Sequence, residues 1–416
     1  MSGLDYRHSH HHGRHTFEWG DPERAILELD YIRADRGDII AEVSATSTIP
    51  AIGGLVHVAR VNLLSTRSLV EYAGHVAKRT NGAATDWPRL VATAARDVVV
   101  SFREGAPAIL LRDAPVPEDA GYVLAPLLVA RMPTILFGDG GSAKSLLALA
   151  AAASIETGRA YLGLEPAMTG RVALLDYEMD AAEHRERLRR LTGEPMPTVL
   201  YVPCSRPLAE DADRIRRIVA HHDIAYLVVD SVGLACDGPP EAAEVAVRFF
   251  GGLRELGLGS LLVAHVNRSG DTERPFGSAF WHNGARRTWY VKREADIGAG
   301  PLSVGLFCKK ANTGPLAAPL GYEIDWGETI TIRRTDVRDI PDIASHVPIA
   351  ARAELVLRGG ARTVAEIAAE ASAEADTVRR TLERYERQGR RFVRIVGADG
   401  ITRWGLAAHV GQVSGQ

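Results

Sequence analysis

Lysine is scarce in this 416-residue sequence, which contains only five lysines among its 49 basic residues. We therefore treat each lysine as a candidate for a position at which arginine would not serve. The sequence also has no excess of positive charge, because 52 acidic residues give it a net charge of −3. This balance excludes nucleic-acid binding driven by the charge of the whole protein, so any such binding must be local.

Cysteine is scarce as well. The three cysteines, Cys204, Cys236 and Cys308, are far apart and form no CxxC pair. This spacing argues against a zinc knot or a disulfide framework and fits the reducing cytoplasm. The longest apolar run, residues 121–138, contains Arg131 and two prolines and is not a membrane span. We therefore expect a cytoplasmic protein with no membrane partner.

The N-terminus lacks the apolar core of a signal peptide and instead contains five histidines between His8 and His15. Such a cluster is able to bind a metal ion, but a mobile polar segment is the more common interpretation of a histidine-rich terminus. We therefore predict a flexible tail over residues 1–24.

Residues 25–118 combine strand and helix patterns. Short β-favouring runs precede and follow a turn at residues 35–38, and apolar residues recur at helical spacing over residues 65–80 and 86–104. These patterns predict a small N-terminal α+β region.

Residues 119–334 alternate β-branched runs with helical stretches, which is typical of a mostly parallel sheet covered by helices on both faces. A closing hairpin is predicted around Gly327, and a polar linker follows over residues 335–347. The predicted strands are residues 134–137, 172–176, 199–202, 224–230, 261–266 and 302–308.

Residues 348–410 show a third pattern, three short helices followed by two strands. The first helix ends at two glycines, and Thr363 with Glu366 makes a capping box for the second helix. The two strands flank a turn at residues 397–400. Three helices and a hairpin are typical of a winged helix-turn-helix domain.

The strongest motif follows the first strand of the central region and precedes a helix. In such a loop the backbone N–H groups bind phosphate oxygens, the lysine reaches the outer phosphates and the hydroxyl binds Mg²⁺. The motif therefore predicts a site for ATP and Mg²⁺. One residue departs from the pattern, because alanine stands where glycine is usual, and left-handed backbone angles there would cost about 1–2 kcal/mol. The loop residues are Gly138, Asp139, Gly140, Gly141, Ser142, Ala143, Lys144 and Ser145.

Two carboxylates are expected beside this loop. Asp230 ends an apolar strand and suits Mg²⁺ binding, because the carboxyl ends of parallel strands meet at one edge of the sheet. Glu178 follows the strand after the loop's helix and is the candidate catalytic residue that orients or deprotonates the attacking water. Two alternatives stay open, namely Glu178 as a helix-capping acid together with Asp180, and Asp176 as the base.

Further residues are candidates for sensing or stabilising charge. His265 follows another strand, where it would either sense the γ-phosphate or simply end the strand. Arg286 and Lys310 are candidates for a role across a subunit interface, and exposed surface bases are the alternative for both. Arg287 is a further candidate for charge stabilisation.

With these residues in place, residues 120–334 resemble the RecA-like hexameric helicase and recombinase ATPases, and among them the plasmid replicative helicase (RepA-like) branch. The resemblance implies a RecA-like P-loop core, ATP hydrolysis with Mg²⁺, catalytic roles for Glu178 and Lys144, and His265 as a sensor. It also implies a site completed by a neighbouring subunit, hence a ring-shaped homo-oligomer as in that family. The likeness lies in residues 138–145, 158–163, 170–178, 229–231 and 264–265, and in Phe276 to Ala279 leading to Arg286.

DNA contact is predicted from the third C-terminal helix and the strand after it. Over residues 379–394 seven arginines face two glutamates, a local excess of five positive charges. A helix-turn-helix places such a helix in the major groove, and contacts to phosphates would make binding sensitive to salt. The alternatives are a solvated helix face or a protein-contact domain. The candidates for DNA contact are Arg379, Arg380, Arg384 and Arg387.

The sequence thus predicts an α/β protein with a RecA-like P-loop core, a small N-terminal α+β region and a C-terminal winged helix. Two functions agree with these patterns. The first is a RecA-like ATPase that hydrolyses Mg-ATP and acts on DNA, of helicase or recombination type. The second is a DNA-binding regulatory switch that ATP controls with little turnover. Glu178, Lys144 and Ser145 favour the first function, whereas Ala143 and the winged helix leave room for the second.

Overall fold

The computed structural model describes residues 6–11, 13–49, 52–80, 85–105, 108–114, 121–266, 277–294, 300–312, 314–337, 340, 348–389, 391–397 and 399–407. The chain divides into two units. One comprises Met1–Glu118 and Glu210–His222, and the other comprises Asp119–Ala209 and Asp223–Gln416.

The first unit contains an antiparallel sheet whose five strands follow the chain order, and two helices pack on it. Its core combines alternate strand residues, such as Leu27 and Val43, with one face of each helix, including Val76 and Val98. The elements are β1 (Tyr6–His11), β2 (Arg14–Trp19), β3 (Ala25–Asp35), β4 (Asp38–Ser47), β5 (Gly54–Asn62), α1 (Thr66–Arg79) and α2 (Trp87–Glu104).

The prediction of a flexible tail over residues 1–24 is wrong for the stretches that form β1 and β2. These strands pair with each other, and β2 also pairs with β3. Within β2, His15, Phe17 and Trp19 are buried, and the His15 ring stacks on that of His10. This alternation of inward and outward side chains is a strand pattern, which the high histidine content concealed.

The four of these histidines that the structure describes, His8, His10, His11 and His15, do not form the metal site that the sequence left open. Among the described residues, no group of three or more histidine, cysteine, aspartate or glutamate side chains is arranged to hold a metal ion. The Nε2 atom of His8 instead lies 3.0 Å from Nδ1 of His15. Burial lowers the pKa of His15 to about 4, so this ring is neutral at pH 7.

The second unit is built around a nine-stranded sheet. Six adjacent strands are parallel, in the order β10, β9, β11, β12, β8 and β13, and β14, β15 and β16 continue the sheet antiparallel. The elements of this part of the chain are β6 (Tyr122–Leu124), β7 (Leu128–Val129), β8 (Pro133–Gly138), α3 (Lys144–Thr157), β9 (Arg171–Asp176), α4 (Ala181–Thr192), β10 (Leu200–Pro203), α5 (Leu208–His221), β11 (Ile224–Asp230), α6 (Ala243–Glu255), β12 (Gly259–His265), α7 (Ala279–Gly284), β13 (Arg287–Arg293), β14 (Leu302–Ala311), β15 (Leu320–Trp326) and β16 (Ile330–Thr335).

The predicted fold class, α/β with a mostly parallel sheet, is confirmed. All six predicted central strands are present, and β15 and β16 form the predicted hairpin. The sequence missed β13, because arginines and a lysine flank its short apolar centre. Since β8 and β13 are parallel neighbours, the carboxyl end of β13 lies beside the loop that follows β8.

Helix α5 lies within residues 119–334, which the sequence assigned to the central region, but it packs with the first unit. It stands between β10 and β11 along the chain, yet residues 210–222 belong to the first unit. Arg217 of this helix lies 3.1 Å from the Asp30 carboxylate, and its guanidinium stacks on the ring of Tyr31. The N-terminal unit is therefore assembled from two separate stretches of the chain.

The C-terminal part has the predicted order of three helices and a hairpin, and the capping box between Thr363 and Glu366 is present. The linker predicted over residues 335–347 lies mostly outside the described residues, as do Phe276 and Arg390. Within the described part of the chain, no helix has the length and apolar character needed to cross a membrane. The elements are α8 (Ile349–Arg358), α9 (Val364–Glu370), α10 (Ala375–Arg387), β17 (Phe392–Val396) and β18 (Thr402–Leu406).

Candidate functional site

The glycine-rich loop joins β8, which is buried along its whole length, to the buried helix α3. Gly138 ends the strand, and a Cβ atom there would lie 2.3 Å from the carbonyl oxygen of Val291 on β13. No larger residue fits without displacing that backbone. Gly141 has a φ of +72°, a conformation that glycine adopts at little cost. The loop therefore takes the shape that the motif predicts.

Ala143 adopts the left-handed conformation, so the energetic cost expected for alanine at this position applies. It is the N-cap of α3, with φ 61° and ψ 21°. For a residue with a Cβ atom this conformation costs about 1–2 kcal/mol, which glycine would avoid. The loop keeps its shape despite this cost, so the strain is stored at the start of the helix.

Lys144 is buried, with 5% of its surface exposed. Its Nζ atom donates to the carbonyl oxygens of Gly138 at 3.0 Å and Asp139 at 2.6 Å, and to Oγ of Ser142 at 3.4 Å. Burial lowers the pKa of Lys144 to about 8, against the opposing effect of nearby carboxylates, foremost Asp230. The ammonium group is thus held inside the loop and remains charged at pH 7.

Asp230 lies at the carboxyl end of β11 and is buried. Burial raises its pKa, a hydrogen bond with the Ser145 side chain opposes that effect, and the charge of Glu178 adds to it. A serine hydroxyl beside a buried carboxylate is a set of hard oxygen donors of the kind that Mg²⁺ prefers. Ser145 and Asp230 therefore fit the predicted magnesium site.

Glu178 lies in the bend that follows β9, and its side chain is exposed. Its charge acts on both Lys144 and Asp230, so the three groups lie near one another at the same edge of the sheet. The alternative role for Glu178, capping α4, falls to Asp180. The Asp180 carboxylate is the N-cap and accepts from the backbone N–H of Glu183 at 2.9 Å.

Asp176, the alternative base, is buried and its carboxylate is already occupied. Oδ1 accepts from the backbone N–H groups of Glu178 and Met179, both at 3.2 Å, and Oδ2 accepts from the Tyr201 hydroxyl at 3.0 Å. A carboxylate with these partners is poorly placed to take a proton from water. The geometry therefore favours Glu178 over Asp176 as the base.

His265 ends β12 next to the loop. Its Cα pairs with that of Gly138 across the two parallel strands, and its side chain is exposed. This position lies at the start of the phosphate loop, where a sensor would be placed. The sequence missed Arg293 at the end of β13, whose guanidinium lies 3.3 Å from the Cβ position of Gly141. The sequence would have indicated Arg293 only if β13 had been recognised as a strand.

Arg286 and Lys310 lie towards the other end of the sheet. Arg286 precedes β13, and its backbone N–H donates to the carbonyl of Pro133 at the start of β8, so roughly 16 Å of strand separates it from Gly138. Lys310 Nζ donates to the carbonyls of His282, Asn283 and Ala285 at the end of α7. Neither residue is brought to the phosphate loop of its own chain.

Arg287 is not available for charge stabilisation in a nucleotide site, because it is 1% exposed. Its guanidinium donates to the carbonyl of Pro126 at 3.0 Å and to the hydroxyl of Tyr122 at 2.6 Å. These partners hold β13 to the segment that precedes β8. The prediction for Arg287 is therefore corrected to a structural role in the core.

The four arginines predicted to contact DNA are exposed on α10, but several positive charges there are compensated. Arg379 pairs with Asp376, Arg387 pairs with Glu383, and Arg394 of β17 pairs with Glu383 and Glu386. Arg380 and Arg384 form no ion pair with a described carboxylate. Glu383 and Glu386 are already subtracted in the excess of five charges counted along the sequence, so the acids that lower it further on the folded surface are Asp376 and Glu354, which pairs with Arg391.

One comparison with known proteins covers the central site. A family model described as an AAA domain matches residues 107–271, which include the phosphate loop, Glu178, Asp230 and His265. No curated protein matches the chain. Among solved structures, a KaiC-like protein from the hyperthermophilic archaeon Pyrococcus horikoshii is 16% identical, with a TM-score of 0.39 over 53% of this chain and 100% of that one. The loop geometry and the family match together define a nucleotide-binding P-loop ATPase.

Proposed function

We propose that this protein hydrolyses Mg-ATP and acts on DNA as a RecA-like ATPase of helicase or recombination type. The observation that carries the proposal is the arrangement of Lys144, Ser145, Asp230 and Glu178 at one edge of the parallel sheet. The RepA-like branch and a ring of identical subunits remain part of the proposal. They are supported by the sequence resemblance.

The proposed reaction divides the work among these residues. The backbone N–H groups of the loop and the ammonium of Lys144 bind the phosphates of ATP. Ser145 and Asp230 would hold Mg²⁺, which would neutralise phosphate charge when bound. Glu178 orients the attacking water and accepts its proton, and His265 stands where it would respond to loss of the γ-phosphate.

The test is the rate of ATP hydrolysis with and without single-stranded DNA, for the wild type and Glu178→Gln. We expect DNA to raise the rate, and the substitution to lower kcat at least about 100-fold, because an amide cannot accept the proton. Glu186→Gln, which changes an exposed acid of α4, is the matched control and should leave kcat unchanged. A wild-type rate that DNA does not change, together with an unaffected Glu178→Gln variant, would refute the helicase assignment.

A role for a neighbouring subunit is supported by the position of Arg286. Roughly 16 Å of strand separates it from the loop of its own chain, so a role for it at an ATP site would be in another copy. We expect Lys144→Ala and Arg286→Ala to be inactive alone and to regain part of the activity when mixed, since a mixed interface combines two intact halves. Mixtures as inactive as their components would contradict this role.

The second candidate function is a DNA-binding switch that ATP controls with little turnover. It is favoured by the strained Ala143 and by the loop carbonyls that hold Lys144. In that case ATP would change DNA affinity, measured by fluorescence anisotropy, while Glu178→Gln would leave both the affinity and the low hydrolysis rate unchanged. Measurements on the wild type and on Glu178→Gln therefore separate the two functions.

A further inference from the structure

The bend that carries Glu178 is fixed by an unusually complete set of backbone hydrogen bonds. The N–H of Tyr177 donates to the backbone carbonyl of Asp230 at 2.7 Å. The N–H groups of Glu178 and Met179 both donate to Oδ1 of Asp176 at 3.2 Å. Three consecutive N–H groups therefore bind the edge of the sheet, and two of them depend on one side chain.

Asp176 is itself held from a neighbouring strand. Tyr201 of β10 donates its hydroxyl to Oδ2 of Asp176 at 3.0 Å, and the same hydroxyl lies 3.3 Å from the carbonyl oxygen of Met179. On the other side the buried ring of His184 lies with Nε2 3.5 Å from Oδ1. The carboxylate is thus enclosed by protein groups and is aimed at the bend.

Asp176 also lies beside the proposed magnesium site without being part of it. Its Cα pairs with that of Asp230 across β9 and β11, so the two carboxylates leave adjacent strands at the same level. The Asp230 side chain bonds with Ser145, whereas the Asp176 side chain bonds with the bend. Two similar residues at one sheet edge thus have different partners.

We infer that Asp176 is a positioning residue that holds Glu178 in place for hydrolysis, with Tyr201 fixing Asp176. The inference rests on the proposed role of Glu178 as the base. The bend and Tyr201 occupy the Asp176 carboxylate, which acts on Asp230 only through its charge, so we expect nucleotide binding to depend little on it. The rate of ATP hydrolysis should depend on Asp176, because displacing a catalytic group by about 1 Å can lower kcat about 100-fold.

The main test compares kcat with nucleotide affinity in the full-length protein. Asp176→Ala should lower kcat about 30-fold to 100-fold, while the Kd for a fluorescent non-hydrolysable ATP analogue stays within about threefold. Asp176→Asn keeps an oxygen that accepts from both N–H groups and should restore kcat to within about fivefold of the wild type. Asp180→Ala, which removes the cap of α4 in the same bend, is the matched control and should leave kcat unchanged.

A double variant separates positioning from a general structural effect. If Asp176 acts through Glu178, then Asp176→Ala combined with Glu178→Gln should be no slower than Glu178→Gln alone. A double variant that is much slower, an Asn variant as slow as the Ala variant, or an unchanged kcat in Asp176→Ala would each overturn the inference.

Tyr201→Phe keeps the inference testable if Asp176→Ala does not fold, which thermal unfolding would show. Loss of this hydroxyl should lower kcat about threefold at unchanged nucleotide affinity, and an unchanged kcat would overturn the inference. Failure of the proposed function looks different, because Glu178→Gln itself would then hydrolyse ATP at the wild-type rate.

Discussion

Lys144 and the arginines of α10 differ in what surrounds their positive charge. Lys144 is buried and is held by carbonyl oxygens, with no described carboxylate paired to it. The arginines of α10 are exposed, and Arg379 and Arg387 pair with acids on the same helix. The buried lysine therefore contacts carbonyl oxygens and has carboxylates such as Asp230 only at longer range, whereas Arg379 and Arg387 contact acids directly. The number of charges in a segment does not measure the charge that it offers to a ligand.

The largest effect should come from removing the buried charge. Lys144→Ala should weaken binding of a fluorescent ATP analogue about 100-fold, since hydrogen bonds to a charged group each contribute about 1.5–3 kcal/mol. Lys78→Ala, which removes an exposed lysine from α1, is the control and should leave Kd unchanged. Equal effects of the two substitutions would show that burial does not distinguish the lysines.

The two kinds of charge should also respond differently to pH. Burial lowers the pKa of Lys144 to about 8, and its neutral form does not attract phosphate, so ATP affinity should fall as pH rises above 8. The expected loss of affinity is about tenfold between pH 7 and pH 9, whereas arginines stay charged over this range.

The free energy of unfolding without nucleotide should change in the opposite direction and increase with pH. The folded state binds fewer protons than the unfolded chain between about pH 8 and 10.5, so folding is favoured as pH rises there.

Titration of ATP binding by calorimetry at several pH values would measure the first effect. Lys144→Arg serves as the reference, because its guanidinium remains charged and its affinity, even if weaker, should not change over this range. A wild-type affinity that stays constant to pH 9 would show that the lysine remains protonated in its buried site.

Removing an acid from the arginine-rich helix should strengthen DNA binding. Glu383 pairs with both Arg387 and Arg394, and Arg394 keeps a second partner in Glu386, so Glu383→Gln should raise the local net charge by one and increase DNA affinity about threefold at low salt. Arg384→Ala should weaken DNA binding and reduce the slope of log affinity against log salt concentration by about one. If neither variant alters DNA affinity in an anisotropy titration, α10 is a solvated face or a protein-contact surface.

The smallest effect concerns the backbone that precedes Lys144. Ala143→Gly should relieve left-handed strain and stabilise the protein by about 1 kcal/mol, partly offset by the greater freedom of glycine in the unfolded chain. Chemical denaturation without nucleotide would measure it. Ala150→Gly, in the middle of α3, should do the opposite and destabilise the protein, since helix interiors disfavour glycine.

The features that could be predicted from the sequence are those encoded within a few consecutive residues. The phosphate loop from Gly138 to Ser145 and the strand that ends at Asp230 are of this kind, because periodicity and turn residues specify them locally. The buried alternation around His15 was concealed by the polar character of histidine. Its pKa of about 4 shows that the ring is neutral in the fold, so it packs there as an aromatic residue.

The remaining parts of the site depend on contacts between residues far apart in sequence. Tyr201 meets Asp176 only because β10 pairs with β9, and Arg293 reaches the phosphate loop only because β13 pairs with β8. No local pattern specifies these pairings. Arg391 likewise meets Glu354 of α8 only in the folded chain, so a charge count over residues 379–394 misses an acid that pairs with one of its arginines.

The position of α5 in the first unit has a consequence for protein synthesis. Residues 210–222 complete a unit that otherwise ends at residue 118, so roughly 90 residues separate the two stretches along the chain. At a translation rate of about 5–20 residues per second, the ribosome needs about 5–20 seconds to supply the missing helix. During that interval Asp30 and Tyr31 lack their Arg217 partner, and the phosphate loop is already synthesised. The N-terminal unit therefore reaches its final form only after the ATP-binding loop has left the ribosome.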